Sequence, residues 1–320
     1  MIVRNHWSSS ASKFPIMEPN QTPKELKLTH FIQKFVGTQT CPTGLVHYVD
    51  SQGQLHELHS SQLPKKNGMI RIVAISDTHE RHDLLDLPSG DVLLHCGDAL
   101  MFNTGFSPQV STYKLRSFNK WLSTTPHKER IFIGGNHDAI LETLGKAKVQ
   151  QILTNCHYLE NEHITLKCGL TLFGTPASVA NTPQSPNKAF QYDMTVIDTM
   201  FKHNVRPTID ILMTHGPVSS LPPAQRFIEE FGTPLAFCGH IHEQHGVQTF
   251  HRTICANAST MAAINQKFSP SNPPVVLDVA RTRGHSIGSH LWCVAWLCPG
   301  FFVKTEKRVC VTSSVWSTKL

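Results

Sequence analysis

The sequence lacks a continuous apolar run long enough to cross a membrane. The apolar stretch at 291–298 is followed directly by Pro299 and Gly300, whereas a membrane-spanning helix needs about 20 apolar residues. Residues 1–28 are rich in Ser, Pro, Asn and Lys and lack the apolar core of a signal peptide. We therefore expect a protein without a transmembrane segment, located in the cytoplasm.

The sequence also lacks paired cysteine motifs. Its nine cysteines are scattered and show no Cys-x-x-Cys spacing, so they do not predict a zinc finger or a disulfide framework. An odd number of cysteines in a long chain is typical of reduced thiols in an intracellular protein.

Dense clusters of one charge are equally scarce. The formal net charge is +6, but Lys and Arg are spread along the chain, apart from short groups at 281–283 and 304–308. This distribution favours an anionic substrate only weakly and does not predict specific nucleic-acid binding.

Five short polar stretches contain most of the residues that could carry chemistry. Each follows a short apolar run that is typical of a buried strand. Ligands of open α/β sheets collect outside the carboxyl ends of the strands, so we expect these stretches to form one cluster. The stretches are 76–79, 97–98, 134–138, 214–216 and 239–242, and the runs before them are 70–75, 92–95, 130–133, 209–213 and 235–238.

The residue types in this cluster indicate a metal site. Imidazole nitrogens suit zinc, iron and manganese, carboxylate and amide oxygens suit harder ions, and no thiolate is present in the set. The set exceeds what one tetrahedral ion needs, so it favours two divalent ions that share a bridging carboxylate. The candidate ligands are Asp77, His79, Asp98, Asn136, His215, His240 and His242.

Each fragment on its own has another interpretation. A histidine after a strand is often a surface or capping residue, and Gly-Asn-His is also a turn sequence because Asn tolerates turn conformations. Five such fragments in this order, each after a strand, are hard to explain as turns alone.

The series Asp-x-His, Gly-Asp, Gly-Asn-His-Asp, His-Gly and Gly-His-x-His resembles the signature of the calcineurin-like metallophosphoesterases. The resemblance is more specific to the metallophosphoesterase domain-containing (MPPED) subfamily and covers about residues 69–279. It rests on the sequences ISDTH at 75–79, LLHCGD at 93–98, DILMTHGP at 210–217, GHIHE at 239–243, NAST at 257–260 and NPPVVLD at 272–278.

The resemblance implies a role for each candidate. His137 matches the motif histidine that is not a ligand and faces the leaving group, and Asn136 and His137 are implied to contact substrate. The two divalent ions would be manganese, iron or zinc. Asp77, His79 and His242 match ligands of the first ion, Asn136, His215 and His240 match ligands of the second, and Asp98 matches the bridge.

Met101 departs from the family pattern. In many relatives an acidic residue three positions after the Gly-Asp aspartate supports the motif histidine, and here that position is Met101. We therefore expect His137 to be less well oriented than usual, unless Asp138 or another carboxylate takes over this role.

The resemblance implies a four-layer αββα sandwich, an α/β fold with two mixed sheets flanked by helices. We divide the chain into a flexible N-terminal segment (1–28), short strands packed beside the catalytic domain (29–68), the metallophosphoesterase domain (69–279) and a poorly ordered C-terminal extension (280–320). Pro108 and Pro222 are expected to begin helices, because proline is favoured in the first helical turn.

The implied function is two-metal hydrolysis of a phosphoester, with Asp98 and His137 as the catalytic residues. The MPPED resemblance implies a phosphodiesterase that acts on cyclic nucleotides or small phosphodiesters through a metal-bridging hydroxide. The alternative is a metal- or nucleotide-binding regulatory protein with little turnover, which Met101 and the absence of aromatic residues from 174–187 favour. A monoesterase also stays open, and the sequence allows a homodimer.

Overall fold

Short apolar strands dominate the part of the chain that the computed structural model describes, which comprises residues 43–101, 108–180, 184–206, 208–262 and 270–280. Strands β1 to β7 span Leu45–Val49, Leu55–His59, Ile70–Ile75, Gly90–His95, His127–Ile133, His157–Leu159 and Glu162–Thr165. Strands β8 to β13 span Thr171–Thr175, Ile211–Thr214, Leu235–Cys238, Gly246–Phe250, Thr253–Asn257 and Val275–Val279. Helices α1 to α5 span Pro108–Thr124, Ala139–Leu144, Lys146–Ile152, Met194–Asn204 and Pro222–Phe231.

The first sheet has seven strands in the order β2-β1-β13-β3-β4-β5-β6. Strands β3, β4, β5 and β6 pair in parallel, and β13 pairs antiparallel with β3. The hairpin of β1 and β2 joins this sheet because β1 pairs in parallel with β13. The sheet is therefore mixed, with its parallel half next to the candidate ligands.

The second sheet has six strands in the order β11-β12-β10-β9-β8-β7. Its central strands β8, β9, β10 and β12 are parallel, and its edge strands β7 and β11 are antiparallel to their neighbours. Two of the expected strands in this sheet carry candidate ligands at their carboxyl ends, namely β9 and β10.

Alternate side chains of the strands pack into two different apolar layers. On β3, Ile72 and Ala74 belong to the apolar core shared with strands of the second sheet. Val73 and Ile75 belong to a second core, in which the outer face of the first sheet packs on α1, α2 and α3. Because successive residues of a strand face opposite sides, both faces are apolar and both are covered.

The outer face of the second sheet carries the remaining layer. Phe173 and Leu212 pack there against Phe201 of α4 and Phe227 of α5. The order of layers is therefore helices, sheet, sheet, helices, which confirms the expected four-layer αββα fold.

The helices follow the sequence signals in most details. Helix α5 begins at Pro222 as expected and ends before Gly232, whose φ of 69° is the left-handed conformation that favours glycine after a helix. In α1 the buried face contains Leu115, Phe118 and Leu122. The predicted N-terminal segment (1–28) and residues 281–320 of the predicted C-terminal extension lie outside the described residues. Within the described parts of the chain, every helix is too short or too polar to cross a membrane.

Candidate metal centre

The chain turns sharply at the candidate ligands. Asp77, His79, Asp98 and His240 have φ angles of 53°, 44°, 55° and 71°, a region that residues other than glycine rarely adopt and that is often found at functional sites. Backbone hydrogen bonds stabilise these turns, because the N–H of Asp77 donates to Gly97 O at 2.9 Å and that of His79 to Asp98 O at 3.0 Å. The turns after β3 and β4 are therefore held together.

Two glycines leave room for this close approach. A Cβ atom at Gly135 would overlap the Asp98 carboxylate and the His215 ring, and one at Gly239 would overlap the Asp77 carboxylate. The glycines before the motif asparagine and before His240 are thus required by packing at the site.

The candidate ligands of the first ion lie together. The Nε2 atom of His242 is 3.3 Å from Nε2 of His79 and 3.4 Å from Oδ1 of Asp77. One ligand atom from each of the three residues lies within 4.8 Å of the others. Asp77 and His79 are buried, and His242 is partly exposed.

The candidate ligands of the second ion surround the Asn136 amide. Its Oδ1 atom is 3.0 Å from Nε2 of His215 and 2.8 Å from Nδ1 of His240. The amide nitrogen faces the other way and donates to the carbonyl oxygen of Asn187 at 3.3 Å. This bond orients the amide so that its oxygen, which is the atom a metal binds, points inward.

Asp98 lies between the two groups. Its Oδ2 atom is 3.4 Å from Nε2 of His215, and its ligand atoms group both with Asp77 and His215 and with His79 and His137. This position suits a carboxylate that bridges two ions.

Three of the four candidate ligand histidines bind a backbone carbonyl through their outer ring nitrogen. Such a bond fixes the ring orientation and is the usual support of a metal-binding histidine. It directs the inner nitrogen at the centre, where a metal ion would replace any proton on that nitrogen. The pairs are His79 Nδ1 with Leu100 O at 3.0 Å, His215 Nδ1 with Cys96 O at 2.8 Å and His240 Nε2 with Val179 O at 2.7 Å.

At the centre, inner ring nitrogens converge on one acceptor oxygen. The inner nitrogens of His215 and His240 both point at Asn136 Oδ1, which is an acceptor. Such contacts are unfavourable unless a proton or a cation lies among the lone pairs. The nitrogen and oxygen donors fit first-row divalent ions, so the residues present can hold the two ions that the sequence implies.

Burial and mutual charge set the protonation of these groups. Burial favours the neutral form of Asp98, but His215, His137 and His79 together outweigh burial and hold the pKa of Asp98 well below its usual range. Burial likewise lowers the pKa of His215, but the Asp98 charge raises it to about 9. Burial lowers the pKa of His79 and of His240 to about 4. Because His215 holds a proton that a metal must displace, metal affinity is expected to rise with pH.

His137 differs from the candidate ligand histidines because neither of its ring nitrogens is hydrogen-bonded to a candidate ligand. Its Nδ1 atom donates to the carbonyl oxygen of Met101, and its Nε2 atom lies 3.2 Å from Nδ2 of Asn187. The His137 and His79 ring centroids are 4.6 Å apart. His137 therefore stands beside the proposed centre with a fixed ring.

The support of His137 differs from the sequence expectation. Asp138 does not replace the missing acidic residue, since its carboxylate accepts hydrogen bonds from the backbone N–H groups of Ala99, Leu100 and Gly135 at 3.3, 2.9 and 2.9 Å. Burial and the nearby Asp98 charge raise the pKa of Asp138. A backbone carbonyl, which position 101 provides whatever its side chain, orients His137 instead.

Sequence reasoning selected side chains that the structure does bring together, but it missed their supports. Asn187 contacts both Asn136 and His137 from a loop about 50 positions away. Val179 and Met101 act through main-chain oxygens, which every residue type has. None of these three positions carries a local sequence signal that could have identified it.

Comparison with known proteins agrees with the geometry. The family model described as calcineurin-like phosphoesterase matches residues 70–244, which contain every candidate ligand. The chain belongs to this family. The human metallophosphoesterase domain-containing protein 1 is 31% identical over 260 residues, which cover 69% of this chain and 74% of that protein. A UPF0046 protein of Caenorhabditis elegans is 30% identical over 249 residues, covering 67% of this chain and 83% of its own.

Solved structures also resemble this calcineurin-like phosphoesterase at low sequence identity. A crystal structure of a Thermus thermophilus protein aligns with a TM-score of 0.44 and 11% identity, covering 59% of this chain and 88% of that one.

Proposed function

We propose that this family member is a two-metal phosphodiesterase that hydrolyses cyclic nucleotides or other small phosphodiesters. The observation that carries the proposal is the set of inward ring nitrogens, each oriented by a carbonyl bond at its outer nitrogen, around the Asp98 carboxylate. A purely structural cluster would not need several buried ring nitrogens directed at the oxygens of Asp98 and Asn136.

The proposed ligands follow the two geometric groups. Asp77, His79 and His242 would hold one ion, Asn136, His215 and His240 the other, and Asp98 both. Manganese, iron and zinc all suit this set of nitrogen and oxygen donors. Bound ions would neutralise the phosphoryl oxygens and activate a water molecule for attack on phosphorus.

His137 would act on the leaving group. Its Nδ1 atom is held by the Met101 carbonyl, so Nε2 is the nitrogen available to a substrate. A protonated Nε2 would donate to the departing oxygen as its bond to phosphorus breaks. The Asn187 amide beside Nε2 would exchange this contact for one with the leaving group.

A diester is favoured over a phosphoprotein by the residue before Asn136. The protein phosphatases of this superfamily carry an arginine there, but at Gly135 even a Cβ atom would overlap Asp98. A diester has one negative charge at its phosphate, whereas a monoester has up to two, so a diester depends less on an extra cation.

The cellular setting is part of the proposal. Within the described residues, Cys96, Cys156, Cys168, Cys238 and Cys255 are free thiols, which supports a reducing compartment such as the cytoplasm. The partner would be a small phosphoester or nucleotide, and a homodimer is compatible with this function.

The test uses metal-stripped protein reloaded with manganese. Bis-p-nitrophenyl phosphate, p-nitrophenyl phosphate and 2′,3′- and 3′,5′-cyclic AMP are the substrates, and the variants are Asp98→Ala and His137→Ala. The exposed His157 provides a matched control as His157→Ala. We expect turnover of a diester, loss of activity in Asp98→Ala and a decrease of about 100-fold or more in His137→Ala with the metal retained.

The results separate the alternatives. The decrease in His137→Ala should be larger for cyclic AMP than for the nitrophenyl ester, because an alkoxide needs a proton more than a nitrophenolate does. Two bound ions with no hydrolysis of any substrate would favour the regulatory binding function. Preference for p-nitrophenyl phosphate would favour a monoesterase.

A further inference from the structure

Glu80 connects the loop that holds His137 to helix α1. Its Oε1 atom accepts a hydrogen bond from the backbone N–H of Met101 at 3.1 Å. The same oxygen accepts a bond from Nζ of Lys114 at 2.8 Å. One carboxylate therefore joins the turn after β3, the loop after β4 and the helix.

The backbone of Glu80 is fixed to the same loop. Its φ angle of 63° is in the left-handed region, and its N–H donates to Ala99 O at 2.9 Å. A residue other than glycine in this conformation is strained. The side-chain and backbone bonds of Glu80 to residues 99 and 101 are the contacts that stabilise it there.

The position of Met101 in the loop after β4 determines the orientation of the His137 ring. The Met101 carbonyl oxygen accepts the hydrogen bond from Nδ1 of His137, so a shift of Met101 would release the ring. Leu100 is held by Asp138 through its N–H at 2.9 Å, and Met101, the next residue, is held by Glu80. Within the described part of this loop, Asp138 binds Ala99 and Leu100, and Glu80 binds Met101 itself.

We infer that Glu80 is a positioning residue for His137, because it holds the Met101 main chain whose carbonyl fixes the Nδ1–H tautomer of that ring. This inference rests on the proposed function, in which Nε2 of His137 serves the leaving group. Lys114 provides the countercharge that keeps the Glu80 carboxylate directed at Met101.

The decisive measurement determines the tautomer of the His137 ring directly. In zinc-loaded protein labelled with ¹⁵N at histidine, long-range ¹H–¹⁵N spectra show which ring nitrogen carries the proton, and His137→Gln identifies the signals. We expect wild type to show His137 protonated at Nδ1, and Glu80→Ala to show a mixture of both tautomers. Glu80→Gln keeps an oxygen acceptor for the Met101 N–H, so it should restore most of the wild-type pattern.

Kinetics provide the second readout. In Glu80→Ala we expect kcat to fall about 10-fold with little change in KM, and to fall more for diphenyl phosphate than for bis-p-nitrophenyl phosphate, since phenolate is the poorer leaving group. In a His137→Ala background, Glu80→Ala should have almost no further effect, because the residue it positions is gone. Glu230→Ala, on the exposed surface of α5, is the control that should match wild type.

The two proposals fail in different ways. If wild type hydrolyses no ester but Glu80→Ala still shows a mixture of the two His137 tautomers, the proposed catalytic function is wrong and the positioning role of Glu80 is supported. If wild type is active and Glu80→Ala keeps the Nδ1–H tautomer, or adds a full 10-fold loss in the His137→Ala background, the positioning role is wrong.

Discussion

The Oδ1 atom of Asp98 accepts a hydrogen bond from the backbone N–H of His137 at 2.8 Å. The residue proposed to bridge the ions thus also holds the residue proposed to serve the leaving group. The bond crosses from the turn after β4 to the turn after β5, which are neighbouring strands of the first sheet.

This relationship makes Asp98 the most sensitive position of the centre. We expect Asp98→Ala to lose both ions, because both proposed groups share this carboxylate, and to lose hydrolysis with them. Metal content measured by mass spectrometry after gel filtration should fall from two ions per chain to nearly none. Circular dichroism is the control for folding, and retention of two ions by the variant would contradict the bridge.

Gly135→Ala tests the packing of the centre. The added Cβ atom would overlap Asp98 and His215, so we expect the affinity for manganese, measured by calorimetry, to fall at least about 10-fold. Gly145→Ala is the matched control, since its Cβ atom would meet nothing within 4 Å although its φ is 73°. That control should lose stability from backbone strain and keep its metal affinity, and an equal loss of affinity in both variants would contradict the packing argument.

The buried ion pair of Arg71 and Asp278 connects β3 to β13. The guanidinium donates two hydrogen bonds to the carboxylate, at 2.8 and 2.7 Å, and these bonds raise the pKa of Arg71. We expect Asp278→Ala to lower the free energy of unfolding by about 3–5 kcal/mol, because it leaves a buried charge without a partner. Urea denaturation measures this change.

The control for this pair is a surface pair. Asp198→Ala removes the exposed contacts of Asp198 with Lys202 and Arg226, and we expect a much smaller effect because water screens exposed charges. Comparable losses in the two variants would mean that burial of the Arg71 pair is not what matters.

His82 predicts a pH dependence of stability. It packs against Phe118 and Trp121, and burial lowers its pKa from 6.5 to about 4. The unfolded chain therefore binds a proton more readily between these values, so the contribution of His82 to stability should be constant above pH 6.5 and fall as the pH falls towards 4. The loss from this residue is at most about 3 kcal/mol, given about 1.4 kcal/mol per pKa unit.

The measurement compares urea unfolding at pH 7 and pH 5 with a chelator present, so that metal binding does not contribute. His82→Leu should show a smaller difference between the two pH values than wild type. His251→Leu, at an exposed position, should keep the wild-type difference. An unchanged difference in His82→Leu would rule out this histidine as the source.

The local elements were predictable from the sequence because their signals are local. The apolar runs at 70–75 and 235–238 coincide with β3 and β10. Short runs rich in β-branched and aromatic residues and bounded by turn residues predict strands. Other bounds moved by one to three residues, as at β5, which begins at His127 instead of Arg130. Strand ends are weakly specified because terminal residues form few ladder bonds.

The convergence of the candidate ligands was also predictable, because parallel strands place their carboxyl ends at one edge. The sequence by itself therefore determined the set of side chains at the centre and the family to which the chain belongs. Asp77, Asp98 and Asn136 follow from where their strands stop.

Only the tertiary structure decided how these side chains are oriented. The carbonyls of Leu100, Cys96, Val179 and Met101 set the histidine rings, and a carbonyl has the same chemistry in every residue, so no sequence pattern records its role. Glu80 takes part for a similar reason, since its bond to Met101 depends on a left-handed turn that brings distant segments into contact. The sequence specifies which side chains can bind a metal. The packing of the two sheets and their loops determines the direction in which each of these side chains points.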